Sequence, residues 1–306
     1  MKKINIFVLS LVLMFLTLGA VNAQVLYGVA HLGSDGPTTL YMLSQGSGAV
    51  NAIGPVGFER CGGLAYDETS STLFATCERT DGSDTPVLVT INPATGAGTE
   101  IGVLEVCQNW SDLSVRNSDS ALFATGFFNE CGGGQNTLVS VNKNTGFGTI
   151  VGPMGNDGCC GNAMAFNTDD VLYFMDGDRG PPDTLYIVNQ NTGAANVIAN
   201  VTYPPVLDDE PRPNAIAFNP NTGALIASVV NGDGGEGTRE NYLTIVNIQT
   251  GDVTILGTTV EGLDGIAFVP GASPVPTISE WGMIATVAGL GLIGLFYAMR
   301  RSRVKA

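Results

Sequence analysis

The feature that most constrains this chain is a four-part cycle of short apolar segments that returns every ~50 residues. The first part is a Gly-x-Ala-aromatic segment: Gly63-Leu64-Ala65-Tyr66, Ala163-Met164-Ala165-Phe166, Ala215-Ile216-Ala217-Phe218 and Gly265-Ile266-Ala267-Phe268. Ser111-Asp112-Leu113-Ser114-Val115 is a degenerate copy. The second part is a Leu-aromatic segment at Leu73-Phe74, Leu122-Phe123 and Leu172-Tyr173, with Leu225-Ile226 as its variant. The third and fourth flank an Asn-x-x-Thr-Gly turn, found at Asn92–Gly96, Asn142–Gly146, Asn189–Gly193 and Asn247–Gly251. β-Branched alternation such as Leu138-Val139-Ser140-Val141 precedes the turn, and a short segment usually ending in Ile-Gly or Leu-Gly follows it. Asn bonding its own backbone and Gly taking positive φ are what a tight hairpin requires. The apolar period is two, and 41 glycines punctuate the chain too densely for helices, so these segments are strands.

Four strands per repeat of this length predict a β-propeller blade. The N-terminal copy (Leu26-Tyr27-Gly28-Val29, Thr39-Leu40-Tyr41-Met42, Ala49-Val50-Asn51-Ala52-Ile53) lacks a first strand, and Gly265–Phe268 is a first strand without the other three. Joined, they complete one composite blade and leave no exposed sheet edge at the join. The expected fold is therefore all-β: a five-bladed propeller over residues 24–271, closed by pairing of its N- and C-terminal strands. An open β-solenoid or stacked sandwich is the competing architecture. The units broadly resemble the YVTN/PQQ-type repeat, a resemblance that implies no function.

The two ends carry targeting signals. Lys2 and Lys3, an apolar run from Ile4 to Leu18, and the small residues of Val21-Asn22-Ala23 follow the order of a secretory signal peptide, residues 1–23, which leaves Gln24 as the first mature residue. At the other end Trp281–Met299 is an uncharged stretch of nineteen residues, close to the ~20 that cross a bilayer core. The basic tail 300–306 holds Arg300, Arg301, Arg303 and Lys305, so by the positive-inside rule the tail stays cytoplasmic and the body lies outside the inner membrane. In the linker 272–282, Val275-Pro276-Thr277-Ile278-Ser279-Glu280-Trp281-Gly282 stands before the span. This segment resembles the IPTL-CTERM sorting signal of Gram-negative bacteria, with Val275 and Ile278 in place of Ile and Leu. The resemblance covers only the last thirty or so residues. It implies that an exosortase-like membrane enzyme recognises the tail and cuts near Pro276-Thr277, with delivery to the cell surface, and it implies nothing about the activity of the body.

The formal charge of −15 understates the body, where seven basic residues face twenty-seven acidic ones for a net of −20. Such a body repels phosphate backbones, which argues against nucleic acid and for divalent cations or basic partners. In a propeller blade the loop between second and third strands shares a face with the loop joining consecutive blades. The long connections Gly33–Thr38, Glu78–Pro86, Phe128–Thr137, Asp176–Thr184, Val230–Tyr242 and Pro204–Pro213 all fall on that face, and tight turns occupy the other. Variable loops on a repeated scaffold are where binding usually resides. Asp81, Asp84, Asp176, Asp178, Asp233 and Glu236 in these loops are candidate calcium ligands, although no loop has the EF-hand spacing, and solvated acidic turns are the alternative. The six cysteines mark the same face. Counted back from the hairpin turns, Cys61 stands opposite Cys77 and Cys107 opposite Cys131, which predicts two disulfides with Cα separations of ~5.5–6 Å. Cys159 and Cys160 either form a vicinal bridge or pair elsewhere. One His and no CxxC disfavour zinc.

A catalytic constellation is not recognisable. His31 is the sole His, so a Ser-His-Asp triad would have to use it, and there is no G-x-S-x-G elbow. Cys131-Gly132-Gly133-Gly134-Gln135 lacks the Lys of a phosphate loop. With Trp110 its only Trp, the body lacks the Trp-rich blade motif of quinoprotein dehydrogenases. Three readings remain: a surface binding or matrix module recognising protein or glycan, a calcium-dependent hydrolase using the acidic loops, and a purely structural envelope protein.

Overall fold

The computed structural model describes residues 24–31, 36–106, 110–128, 135–155, 162–177, 182–207, 210–232 and 240–271. The expected signal peptide, most of the linker, the 281–299 span and the basic tail lie outside these residues. Every regular element among the described residues is a strand.

The chain opens with β1 (Gln24–His31), β2 (Pro37–Leu43), β3 (Val50–Asp67), β4 (Thr72–Glu78), β5 (Pro86–Ile91) and β6 (Gly98–Val103), and it ends with β19 (Leu263–Pro270). These seven form one sheet in the order β19-β1-β2-β3-β4-β5-β6, so the last strand lies beside the first. The 18-residue β3 serves two neighbours: its first half pairs with β2 and its second half with β4. Three four-stranded sheets follow. They comprise β7 (Trp110–Val115) to β10 (Gly148–Pro153), with β8 (Leu122–Phe128) and β9 (Gln135–Val141) between; β11 (Asn162–Phe166) to β14 (Ala195–Asn200), with β12 (Leu172–Asp176) and β13 (Thr184–Val188); and β15 (Arg212–Phe218) to β18 (Val253–Thr258), with β16 (Leu225–Asn231) and β17 (Glu240–Val246). The pairings between consecutive strands within these sheets are antiparallel, as short turns between them require.

The two recurrent sequence motifs are the two halves of one contact. In each Asn-x-x-Thr-Gly turn the Gly N–H donates to the Asn carbonyl (2.8 Å at Gly96) and the Asn Oδ1 accepts the N–H two residues on (2.9 Å at Ala94). In each strand that follows the turn, one aliphatic residue bulges out of register: Ile53, Ile101, Val151, Ile198 and Leu256. The residue after the bulge is Gly54, Gly102, Gly152, Ala199 or Gly257. A Cβ on Gly102 would fall within 3.0 Å of the Thr145 carbonyl oxygen, in the turn of the next sheet, which only glycine allows. Gly54 meets Thr95, Gly152 meets Thr192 and Gly257 meets Ser47 in the same way. At Ala199 the contact changes form: Thr202 pairs with Asp252 as a parallel bridge, and the Thr202 N–H donates to the Gly251 carbonyl (3.0 Å).

Two turns escaped the sequence reading. Ser44-Gln45-Gly46-Ser47-Gly48 is a fifth copy of the tight turn without its Asn, closed by the Gly48 N–H on the Ser44 carbonyl (2.9 Å). Asn219-Pro220-Asn221-Thr222-Gly223 has the full motif, yet it joins the first and second strands of its sheet.

Candidate functional site

Since the strands alternate in direction, the ends of the sheets define two faces. One carries the long connections, here the loop face, and the other carries the tight turns, here the turn face. The first strand of each sheet, together with the second half of β3 and β19, runs from the loop face to the turn face.

These first strands gather around one cavity of about 90 Å³. Its lining repeats three positions five times: Leu64-Ala65-Tyr66, Leu113-Ser114-Val115, Met164-Ala165-Phe166, Ile216-Ala217-Phe218 and Ile266-Ala267-Phe268. Its mouth is on the turn face, where Glu68, Asn117, Asn167, Thr168 and Pro220 surround it. The sequence pointed to the opposite face. What it could not show is that neighbouring first strands crowd together at the opening position of the motif, where a Cβ on Gly63 would meet the Leu113 nitrogen at 2.7 Å and one on Gly265 the Leu64 nitrogen at 3.0 Å.

The degenerate copy explains itself in this setting. Asp112, 1% exposed, replaces the Gly or Ala of the other copies. Its Oδ1 accepts the Leu113 N–H (2.8 Å) and its Oδ2 the Met164 N–H (2.7 Å), and the carboxyl also accepts the Leu64 N–H. One side chain thus ties first strands of three successive units. Burial pushes its pKa well above the usual carboxylate range, against the opposing pull of the three N–H donors. Ser114 adds a fourth link by accepting the Phe166 N–H (2.9 Å).

At the loop-face end of the same strands, His31 Nε2 lies 2.5 Å from Asp264 Oδ2, and Asn214 Nδ2 donates to Asp264 Oδ1 (2.6 Å). The cluster draws on β1, β19 and β15. Sequence reasoning weighed His31 only as a would-be triad member and missed its partners. The signal was present: Asp264, Asn214 and Asn162 occupy the same position, one residue before the first-strand motif.

Of the expected disulfides, Cys61–Cys77 is formed, across a bulge that shifts the register of β3 against β4 between Glu59 and Gly63. Both cysteines are buried. Their Cα separation is 3.9 Å, shorter than the expected ~5.5–6 Å, because the extra residues of the bulge crowd Cys61 over Cys77. Cys107, Cys131, Cys159 and Cys160 lie outside the described residues.

The candidate calcium ligands are only partly described. Asp81 and Asp84 stand in the exposed β4–β5 loop, where Asp81 Oδ1 accepts the Ser83 N–H (2.9 Å) and the Ser83 hydroxyl and N–H hold its pKa below the usual range. Asp176 is buried at the end of β12, opposite Asn162 and Thr184. Asp178, Asp233 and Glu236 lie outside the described residues. Among the described residues no three His, Cys, Asp or Glu side chains converge on one point.

The turn face is laced by bonds that run from the tight turn of one unit to the unit before it. Lys143 Nζ pairs with the buried Asp67 (2.6 Å), Arg116 Nη1 donates to Gln190 Oε1 (2.7 Å), and Asn219 Nδ2 donates to Gln45 Oε1 (3.0 Å). Asn117 Nδ2 donates to the Asn167 carbonyl (2.8 Å), and its N–H donates to Asp170 Oδ1 (2.7 Å).

Residues 273–301 match the IPTL-CTERM motif. The motif implies processing by an exosortase-like sorting system and export toward the cell surface. The match covers the segment in which the sequence reading placed the sorting signal. No curated protein matches the chain. Among solved structures, the chain is similar to TolB from Acinetobacter baumannii, at 14% identity and a TM-score of 0.43, over 77% of this chain and 52% of that one. It is also similar to the periplasmic gluconolactonase PpgL from Pseudomonas aeruginosa, at 12% identity and a TM-score of 0.47, over 82% of this chain and 99% of that one. The chain spans about half the length of the TolB it matches.

Proposed function

We propose that this chain is an exported β-propeller of five blades, closed by its own ends, that acts at the cell surface as a binding or matrix module after sorting by an exosortase-like enzyme. The export half of the reading rests on the motif at 273–301. The five-blade reading counts the seven-stranded sheet as two blades that share β3. It is supported by the glycine-to-turn contact, which recurs in cyclic order and includes Gly257 against Ser47, a contact between the last complete unit and the first. The Asn219–Gln45 bond falls on the same seam, and β19 pairs beside β1 inside the composite unit. Five first strands around one cavity are what a closed ring of this size produces.

The binding half rests on the division between the faces. The scaffold repeats, its turn face outside the cavity mouth is largely taken up by contacts between units, and its loop face carries connections of unequal length and acidic composition. The test is to incubate the purified chain with whole cells and with polysaccharide and outer-membrane fractions of the host, and to measure co-sedimentation. Saturable retention on one fraction is expected. An exported, tail-processed protein retained by none of them would leave a purely structural role as the better reading.

A further inference from the structure

The turn face holds one concavity that its seam contacts do not fill. Most polar side chains on that face are engaged between or within units, as Lys143, Asp67, Arg116, Asn117 and Asn219 illustrate. At the cavity mouth the pattern breaks. Among the described residues, Tyr66 and the exposed Glu68 and Thr168 line the opening, and their side chains make no hydrogen bond or ion pair to the protein. Pro220 completes the rim, and the first strands line the cavity below it.

We propose that this mouth is a binding site for a neutral sugar ring, such as a terminal hexose of a glycan. The chemistry follows from the groups present. A carboxylate accepts two O–H donors at once and so reads a pair of adjacent hydroxyls. A phenol and a threonine hydroxyl each both donate and accept, which matches further hydroxyls of either role. Pro220 at the rim offers an apolar surface to the C–H face of the ring. A volume of about 90 Å³ holds several waters, which the edge of one ring can replace hydroxyl for hydroxyl; it cannot enclose a large ligand. Glu68, on a body with a net charge of −20, repels phosphorylated or carboxylated ligands, so the ring is neutral. The inference rests on the binding-module reading but moves the ligand from the loop face to the turn face.

The test uses the full chain in a zwitterionic detergent, because glycoside detergents would compete. The probes are the methyl glycosides of glucose, galactose, mannose and N-acetylglucosamine, followed by saturation-transfer NMR and calorimetry. Wild type is compared with Glu68→Gln, Tyr66→Phe and Thr168→Trp, each checked for an unchanged melting curve. At least one glycoside saturates. Glu68→Gln weakens it roughly ten-fold or more, as loss of a charge-assisted hydrogen bond does. Tyr66→Phe weakens it less, and Thr168→Trp abolishes it by filling the mouth. No saturation by any probe, or saturation that survives both Glu68→Gln and Thr168→Trp, overturns the site. If those two variants still co-sediment with a polysaccharide fraction as wild type does, the binding-module reading stands and the ligand lies elsewhere.

Discussion

If the five units form a closed ring, a single methyl group at Gly257 tests it. Gly257 follows the bulge at Leu256 and lies under the turn Ser44–Gly48, at the seam between the last complete unit and the first. An alanine Cβ there would fall within 3.0 Å of the Ser47 carbonyl oxygen. That atom is backbone, fixed by the turn, and cannot swing aside. Overpacking of this kind costs about 1–3 kcal/mol. The backbone at Gly257 is not in the positive-φ region, so without the clash the substitution would stabilise by about 0.4–1 kcal/mol through the unfolded chain. The closed and open rings therefore predict opposite signs. For a body of this size 1 kcal/mol moves Tm by ~2–4 °C, so closure predicts that Gly257→Ala lowers Tm by ~2–12 °C. Gly102→Ala and Gly152→Ala, which meet Thr145 and Thr192 inside the chain, set the scale. Gly46→Ala, with nothing within 4 Å of its Cβ and no positive φ, is the clash-free control and shows the stabilisation through the unfolded chain alone. Thermal unfolding followed by circular dichroism on residues 24–271 gives the four values. A Gly257→Ala variant that melts with the Gly46→Ala control while Gly102→Ala falls would mean an open seam. If Gly102→Ala and Gly152→Ala are also silent, the contact itself is misjudged.

Four further outcomes are expected. Non-reducing peptide mapping recovers Cys61–Cys77, whose sequence separation of 16 corresponds to about 3 kcal/mol of loop-closure stabilisation, and it also tests the proposed Cys107–Cys131 bridge; free thiols at Cys107 and Cys131 would discard that second pair. Asp112→Asn turns an amide N–H₂ toward backbone N–H donors and lowers stability by about 1–3 kcal/mol in a urea titration, whereas a change under ~0.5 kcal/mol would deny the axial role. Changing Pro276 or Trp281 leaves export intact but holds the protein in the inner membrane on fractionation; unchanged surface delivery would make the motif an ordinary linker. Acid loosens the turn face. Burial raises the pKa of Asp67, but Lys143 and the Ser70 and Ser120 hydroxyls outweigh it and the net shift is downward, while Arg116 lowers Asp119 to about 2. Carboxylates lowered in the folded state contribute stability above ~pH 4 that is lost as the pH falls toward ~2, so a Tm that stays flat over that range refutes the linkage.

The strands were legible because their apolar period is local, and the turn at Asn92–Gly96 because its Asn and Gly have only one common use together. The five bulges were not. Ile101-Gly102 reads as the end of a strand, and nothing local reveals that the glycine exists to admit Thr145 from the next unit. Loop-face cysteines gave the Cys61–Cys77 pair correctly, yet a count along ideal strands could not anticipate the bulge that brings their Cα atoms to 3.9 Å. The cavity was missed for a related reason. Its lining comes from five segments some fifty residues apart, each of which reads only as an apolar strand.

Asp112 carries this reasoning one step further. In sequence, the third copy looks like decay of the first-strand motif, because a carboxylate and a hydroxyl replace small apolar residues at alternate positions. First strands have only one sheet neighbour, so their inner edges present N–H groups that no ladder satisfies. Asp112 takes three of these and Ser114 one, and the four donors belong to the second half of β3, to β7 itself and to β11. A repeat made only of Gly and Ala at these positions packs closely but leaves those N–H groups to water. One polar copy suffices to reach both neighbours, and a second placed beside it would bring two buried carboxylates together, each raising the other's cost of ionisation. The departure from the repeat is therefore the part of the axis that holds adjacent units in register, and repairing it toward the consensus, as Asp112→Gly with Ser114→Ala, should weaken the domain rather than improve it.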